Sequence, residues 1–174
     1  MIVKEGYPFI IIPGLLAFAS SLTGSVPVTG FFLLVTAFNV WFFRNPTRIP
    51  PMDEKAVVSP ADGKIVSIVK GREERYLKAD SQRISIFMSP FDVHVNRSPV
   101  LGNVETVAYN PGRFFSANKD KASLDNEQNA VLLKDKEGRR FLCVQIAGFL
   151  ARRIVCDVKG GETLHKGQRF GLIR

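Results

Sequence analysis

The sequence predicts a mainly β protein, a barrel or sandwich, preceded by an α-helical membrane hairpin. Three observations predict it. The front of the chain holds two uncharged apolar runs. From residue 54 onward the hydrophobic period changes from helical to two. The later segments are short, rich in Val and Ile, and separated by Gly, Pro, Asn and Asp. The expected organisation is a hairpin over 1–43, a proline-rich linker over 44–53 and a β-rich domain over 54–174.

The first run is "YPFIIIPGLLAFASSL" (Tyr7 to Leu22) and the second "VPVTGFFLLVTAFNVWFF" (Val26 to Phe43). As helices each would span roughly 24–27 Å, slightly short of a hydrocarbon core of ~30 Å. Thr23-Gly24-Ser25 is the turn between them, and Pro13-Gly14 is a kink point in the first arm. Lys4 precedes the first run, Arg44 and Arg48 follow the second, and the turn carries no positive charge. Both ends are therefore expected on the cytoplasmic face. Trp41, Phe42 and Phe43 beside Arg44 read as an interfacial aromatic belt. The lengths also suit a re-entrant hairpin entering one leaflet, and a pair of buried core helices is the reading without a membrane. A signal peptide fits poorly, since a second apolar run follows with no small-residue cleavage site between. "RNPTRIPPMD" (Arg44 to Asp53) cannot continue a helix and marks the domain boundary.

Residues 1–43 carry only Lys4 and Glu5, so the whole net charge of +8 lies in residues 44–174. Basic residues near an anionic leaflet are worth about 1 kcal/mol each, so this part is expected against lipid headgroups. The charge would also suit nucleic acid, but no aromatic-basic stacking motif is present and the hairpin argues for a membrane. Expected strands are Ala56–Ser59, Lys64–Lys70, Arg83–Met88, Val104–Tyr109, Ala130–Lys134, Arg140–Ile146, Arg153–Val158 and Gln168–Arg174. "KDKEGRR" (Lys134 to Arg140) is a hairpin turn, and the one helix-like stretch is Asn118 to Asn129. Cys143 and Cys156 sit in apolar segments and read as free core thiols. No Cys/His spacing suggests a metal site.

"SPADGKIVSI" and "VKGGETLHKGQRFGLI" resemble the barrel-sandwich halves of biotinyl and lipoyl carrier domains. A carrier needs an acceptor lysine flanked by methionines, and Met1, Met52 and Met88 flank none. Other motifs bear on chemistry. "FMSPFDVHVNRSP" places His94 on a short apolar segment, where a histidine is more often a hydrogen-bonded core residue. "SPADG" places Asp62 in a turn, where Asp commonly caps the backbone. "NPGRFFSANKDKASLDNEQNA" is a long polar loop with Arg113, Lys119, Lys121, Asn126 and Glu127. "AGFLARRIV" sets Arg152 beside Arg153, which on a strand face opposite sides. His165 reads as structural or exposed.

Taken in order, "FFRNPTR", "VSPADGKI", "SPFDVHVNRSP", "YNPGRFFSANKDKASLDNEQNA", "AGFLARRIV" and "KGQRFGLIR" span nearly the whole chain. This ordered set resembles the short-type phosphatidylserine decarboxylase proenzymes. The resemblance implies that "RFGLIR" continues through Phe-Gly-Ser and that the precursor cuts itself between that Gly and Ser. The serine then becomes a pyruvoyl group on a small partner chain, and this sequence is the large chain. The pyruvoyl ketone is the cofactor, an electron sink for loss of CO2 from phosphatidylserine, giving phosphatidylethanolamine. His94 matches the histidine proposed to return the proton. Asp62 matches the Asp of a self-cleavage triad, and Arg97 stands where that triad has its histidine. Either His94 serves both reactions with Asp62 orienting it, or another base drives processing. Arg97, Arg113, Arg152 and Arg153 are the candidates for binding the substrate anion. Expected partners are the small chain, an anionic membrane and the serine phospholipid; exposed strand edges suit self-association. The rival reading is a membrane-tethered β module, adaptor or carrier-like, without chemistry.

Overall fold

The computed structural model describes residues 1–114 and 125–174. It separates into two compact units. One comprises Met1–Thr47 with Pro90–Val93; the other comprises Arg48–Ser89 with His94–Arg174.

The first unit is a helical hairpin. Helix α1 runs from Tyr7 to Leu22 with Pro13 inside it, and α2 runs from Val26 to Phe42. Pro8 and Pro27 lie in the first turns, where the missing N–H costs nothing. The arms are tied near the turn by a 2.9 Å hydrogen bond between the Ser20 and Thr29 hydroxyls. At the other end the chain closes on itself: Val3 N donates to Phe43 O at 3.0 Å and Asn45 N to Met1 O at 2.7 Å. Phe43 is buried there and stacks on Phe9, ring centroids 5.4 Å apart. The Arg44 guanidinium covers the Trp41 ring at 4.2 Å. Among the described residues α1 buries only Pro13 and Ala17, and α2 buries none. Ile11, Ile12, Leu15, Phe18, Phe31, Leu33 and Leu34 are all exposed. The segment Lys4–Leu22 is long and apolar enough to cross a membrane, whereas α2 is one residue short of that length at 17 residues.

The second unit is mainly β. Nine strands are present among the described residues: β1 Lys64–Glu73, β2 Ala79–Phe87, β3 Val95–Arg97, β4 Gly102–Asn110, β5 Gln128–Lys134, β6 Arg140–Ile146, β7 Ile154–Cys156, β8 Thr163–Leu164 and β9 Arg169–Ile173. They form three antiparallel sheets, β1-β2, β3-β9-β7 and β6-β5-β4-β8. The core is shared by the last two: Val104, Val131, Leu133, Cys143, Val158, Leu164 and Phe170 pack together. The β5–β6 turn is built on Asp135, whose carboxylate accepts from Glu137 N, Arg139 N and Arg139 Nε at 2.7–2.9 Å.

Two expectations need correction. Ala56–Ser59 is not a strand. Val58 N donates to Pro99 O and Arg97 N to Pro60 O, but the Ser59 hydroxyl bonds to Ala61 O and turns the chain, and Pro60 has no N–H to extend a ladder. The helix-like stretch ends differently too: Gln128 and Asn129 open β5, while 115–124 lie outside the described residues.

Candidate active site

The end of β9 organises the site. β3 pairs with it antiparallel, Val95 opposite Leu172 and Asn96 opposite Gly171. The ladder extends one residue further, with Ile173 N donating to His94 O at 3.2 Å. Val95 and Leu172 are buried on one side. Strand alternation places His94 and Asn96 on the other. His94 is 5% exposed, far below what its polarity alone would give. On the opposite edge of β9, Arg153 and Arg174 exchange both backbone hydrogen bonds, at 2.6 and 2.7 Å. Residues 173 and 174 are thus held between His94 and Arg153.

Beneath this end runs a row of buried amides. Asn129 Nδ2 donates to Gln145 Oε1 at 2.9 Å, and Gln145 Nε2 donates to Asn96 Oδ1 at 2.9 Å and to Val155 O at 3.3 Å. The register produces it: Asn129 pairs with Gln145 across β5–β6, so both side chains share a face. Gly171 lets the row approach. A Cβ there would lie 2.2 Å from Val155 O and 2.9 Å from Gln145 Nε2. Each bond is worth about 1 kcal/mol net, and orphaning one buried partner costs about 1–3.

The arginine-bearing loops converge on the same end. Glu127 stitches them: its N donates to Arg113 O at 3.0 Å, and its O accepts from Ala147 N at 2.9 Å. Asn126 Nδ2 donates to Ala147 O at 2.8 Å. Gly112 is needed there, since a Cβ would sit 2.3 Å from the Asn126 carbonyl carbon. Arg113, Arg152 and Arg153 are exposed; Arg152 folds onto its own loop, donating to Phe149 O at 2.8 Å. The buried Glu127 carboxylate acts on the Tyr109 hydroxyl. Desolvation, then the charge and hydrogen bond of Glu127, hold the Tyr109 phenol above its usual value, while Arg153 pulls it down.

Asp62 and Arg97 lie elsewhere along β9. Asp62 pairs with Arg48. Arg97 is opposite Arg169 and donates to Gly167 O at 3.1 Å. Desolvation, then the charge of Arg48, lower the Arg97 guanidinium from its usual value; Asp62 opposes this and Arg169 adds to it. Three residues at about 3.3 Å each separate Arg97 from His94, so this charged cluster begins about 10 Å from His94 along the strand. His165 is exposed in a turn, where its N donates to Gln168 Oε1. Both cysteines are free.

Sequence reasoning left Asn96, Asn129 and Gln145 unassigned and did not single out Tyr109, while Glu127 was named only as part of the long polar loop. The available signal was polarity at inward positions. Gln145 is buried while its neighbour Val144 is 39% exposed, the reverse of what an apolar core alone would choose.

Comparison with known proteins identifies the family of the chain. The family model for phosphatidylserine decarboxylase matches residues 35–174. The chain belongs to the phosphatidylserine decarboxylase family. It is 48% identical over 173 residues to the phosphatidylserine decarboxylase proenzyme of Geotalea uraniireducens, covering 99% of this chain and 81% of that protein. The proenzyme of Syntrophotalea carbinolica is 50% identical over 98% of this chain and 79% of its own length. That of Syntrophus aciditrophicus is 45% identical over 99% and 82%.

Proposed function

We propose that this chain is the large chain of a pyruvoyl-dependent phosphatidylserine decarboxylase. It converts phosphatidylserine to phosphatidylethanolamine for phospholipid biosynthesis after the precursor cleaves itself. The observation that carries the reading is identity of 45–50% to decarboxylase proenzymes over nearly the whole chain. The word proenzyme in those names supports a processed, two-chain form with a small partner chain. Exposed Ile65, Val66, Ile68, Val69 and Ile84 on β1–β2 leave apolar surface for a partner to cover. The β-rich unit is read as a barrel-sandwich type domain over 54–174, joined by the linker over 44–53 to a membrane anchor over 1–43.

The resemblance puts the self-cleavage site just beyond Arg174, on the strand held between His94 and Arg153. Those surroundings fit a reactive carbonyl, because His94 is buried there. The pyruvoyl group of the partner chain would supply the electron sink for loss of CO2. This chain's residues do the rest. Arg113, Arg152 and Arg153 draw in the phosphodiester, with Arg97 adding to the basic field. The buried end of β9 keeps water from the reacting carbon. The His94 imidazole returns a proton to that carbon, a contribution of typically 10²–10⁴. Asp62 is proposed as the carboxylate of self-cleavage.

The exposed apolar faces of α1 and α2 support an anchor in the cell membrane. Lys4 and Arg44 at the joined ends support a cytoplasmic orientation. The test is CO2 release from phosphatidylserine by purified two-chain protein, with the intact mass of the small chain. The expected results are a pyruvoyl in place of serine and loss of activity in His94→Ala. Near-normal CO2 release by that variant would remove His94 from the mechanism. An unmodified chain with no CO2 release would leave only a tethered β module.

A further inference from the structure

The base of the hairpin takes in a piece of chain from far along the sequence. Pro90–Val93 belong to the helical unit. The Phe91 carbonyl accepts two side-chain hydrogen bonds there, from Trp41 Nε1 at 3.2 Å and from Arg44 Nη2 at 2.7 Å. Arg44 is itself fixed: its Nη1 donates to Trp41 O at 2.9 Å and its guanidinium covers the Trp41 ring. Val93 is buried, so the segment is also packed at its end. The Phe91 side chain goes the other way and is 69% exposed. The fold therefore holds the Phe91 backbone firmly and leaves a large apolar ring in solvent, where it gains nothing from its own surface.

We propose that Phe91 is a membrane-contact residue, seated with Trp41 and Arg44 at the headgroup boundary of the bilayer that holds the hairpin. This deepens the anchor reading above and rests on it. Three observations favour a bilayer over a protein partner. The patch follows on from the exposed apolar face of α2 through Phe38 and Trp41, one helical turn apart and both exposed. Its composition is interfacial: an indole, a phenyl ring and an arginine at the end of an uncharged apolar run. The same end of the hairpin also carries exposed Tyr7 and Lys4, so rings and positive charge gather where the chain enters and leaves it. Phe43 is turned inward and Phe42 half-buried. Phe91 thus adds a ring that two of the three aromatics ahead of Arg44 do not present.

The consequence lies in the next residues. Three residues of chain, at most about 11 Å, lead from Phe91 to His94. The headgroup layer is about 5–8 Å deep on each side of the hydrocarbon core. With Phe91 at the inner boundary of that layer, a lipid headgroup comes within reach of His94 while its acyl chains stay in the bilayer. The hydrogen bonds of Trp41 and Arg44 to Phe91 O then set the depth of this segment in the membrane.

The test uses the processed two-chain protein in vesicles of phosphatidylcholine and phosphatidylglycerol, with bromine placed high or low on the acyl chains. Trp41 is the one tryptophan of this chain. Trp41→Phe is therefore the blank, and Phe91→Trp in that background reports on position 91. Bromine near the headgroups should quench the reporter more than bromine near the chain ends. A reporter that neither bromine quenches, in vesicles where Trp41 of the parent is quenched, would overturn the proposal and leave the anchor standing. Iodide would then show whether the ring lies in water or under the small chain. A parent that does not float with the vesicles, its Trp41 unquenched, would overturn the anchor reading and this proposal with it. Phe91→Ser gives a second measure in a parent that releases CO2. On phosphatidylserine vesicles kcat/KM should fall about tenfold, the effect of removing one phenyl ring from apolar surroundings. On monomeric dihexanoyl phosphatidylserine it should stay at the parent value. Equal loss on both substrates would make Phe91 a packing residue, and no loss on either would leave it idle; each overturns the membrane contact.

Discussion

Replacing Gly171 by alanine tests how tightly the end of β9 is built. The new methyl would stand 2.2 Å from Val155 O and 3.3 Å from Val155 C, and 2.9 Å from Gln145 Nε2. Ordinary carbon contacts lie near 3.5–4.0 Å. The first obstacle is backbone, held by the pairing of Val155 with Leu172, so it cannot swing aside as a side-chain tip would. The strands must part, at about 1–3 kcal/mol for overpacking. If Gln145 is pushed off, a buried amide also loses a partner, at about 1–3 kcal/mol. Together these reach about 2–6 kcal/mol, against a total stability of about 5–15. Pulse proteolysis across a urea series, on full-length protein in detergent, measures the change. A loss below about 0.5 kcal/mol would refute the close approach of β7, β9 and the amide row. Repeating Gly171→Ala in a Gln145→Ala background should recover about 1 kcal/mol, since only the side-chain contact is relieved.

Burial pushes the Cys143 thiol up to about 12. Its neutral form is therefore favoured by folding, so stability is full below the unfolded value near 8.5 and falls by up to about 1.4 kcal/mol per pH unit above it. Native protein at pH 8 should be alkylated at Cys156 well before Cys143, as peptide mass mapping would show. Arg48→Ala removes an ion pair whose side chains are 48% and 38% exposed. It should cost at most about 1 kcal/mol in urea titration, while Asp62→Asn should block precursor processing on a gel. Leu34, 73% exposed in the middle of α2, should tolerate apolar exchange. Leu34→Lys should weaken flotation with anionic vesicles by an amount equivalent to about 3 kcal/mol. Gly112→Ala should destabilise through its clash with the Asn126 backbone, lowering the thermal midpoint.

Long-period features were legible in the sequence. The two apolar runs became α1 and α2 with nearly the expected limits, because nothing charged interrupts them. Strands β4, β5, β6 and β9 fell where Val, Leu and Ile recur between turn residues. β3 and β8, three and two residues long, are too short for alternation to register. At Ala56–Ser59 the apolar pattern was overruled by Pro60. The site divided the same way. His94, Asp62 and the arginines stood out by residue type. Asn96, Asn129 and Gln145 did not, because what joins them is register between segments far apart in the chain. The ion pair of Asp62 with Arg48 is another such pairing, invisible to any local pattern.

The closure of the hairpin at its base has a practical side. Met1 O and Val3 N are both bonded to the strand leaving α2. A reporter fused ahead of Met1 would emerge beside residue 45, on the side where the hairpin begins and ends. One spliced into Thr23-Gly24-Ser25 would emerge at the far tip. Protease accessibility of the two fusions in sealed vesicles would distinguish a hairpin that passes through the bilayer from one that dips in and returns.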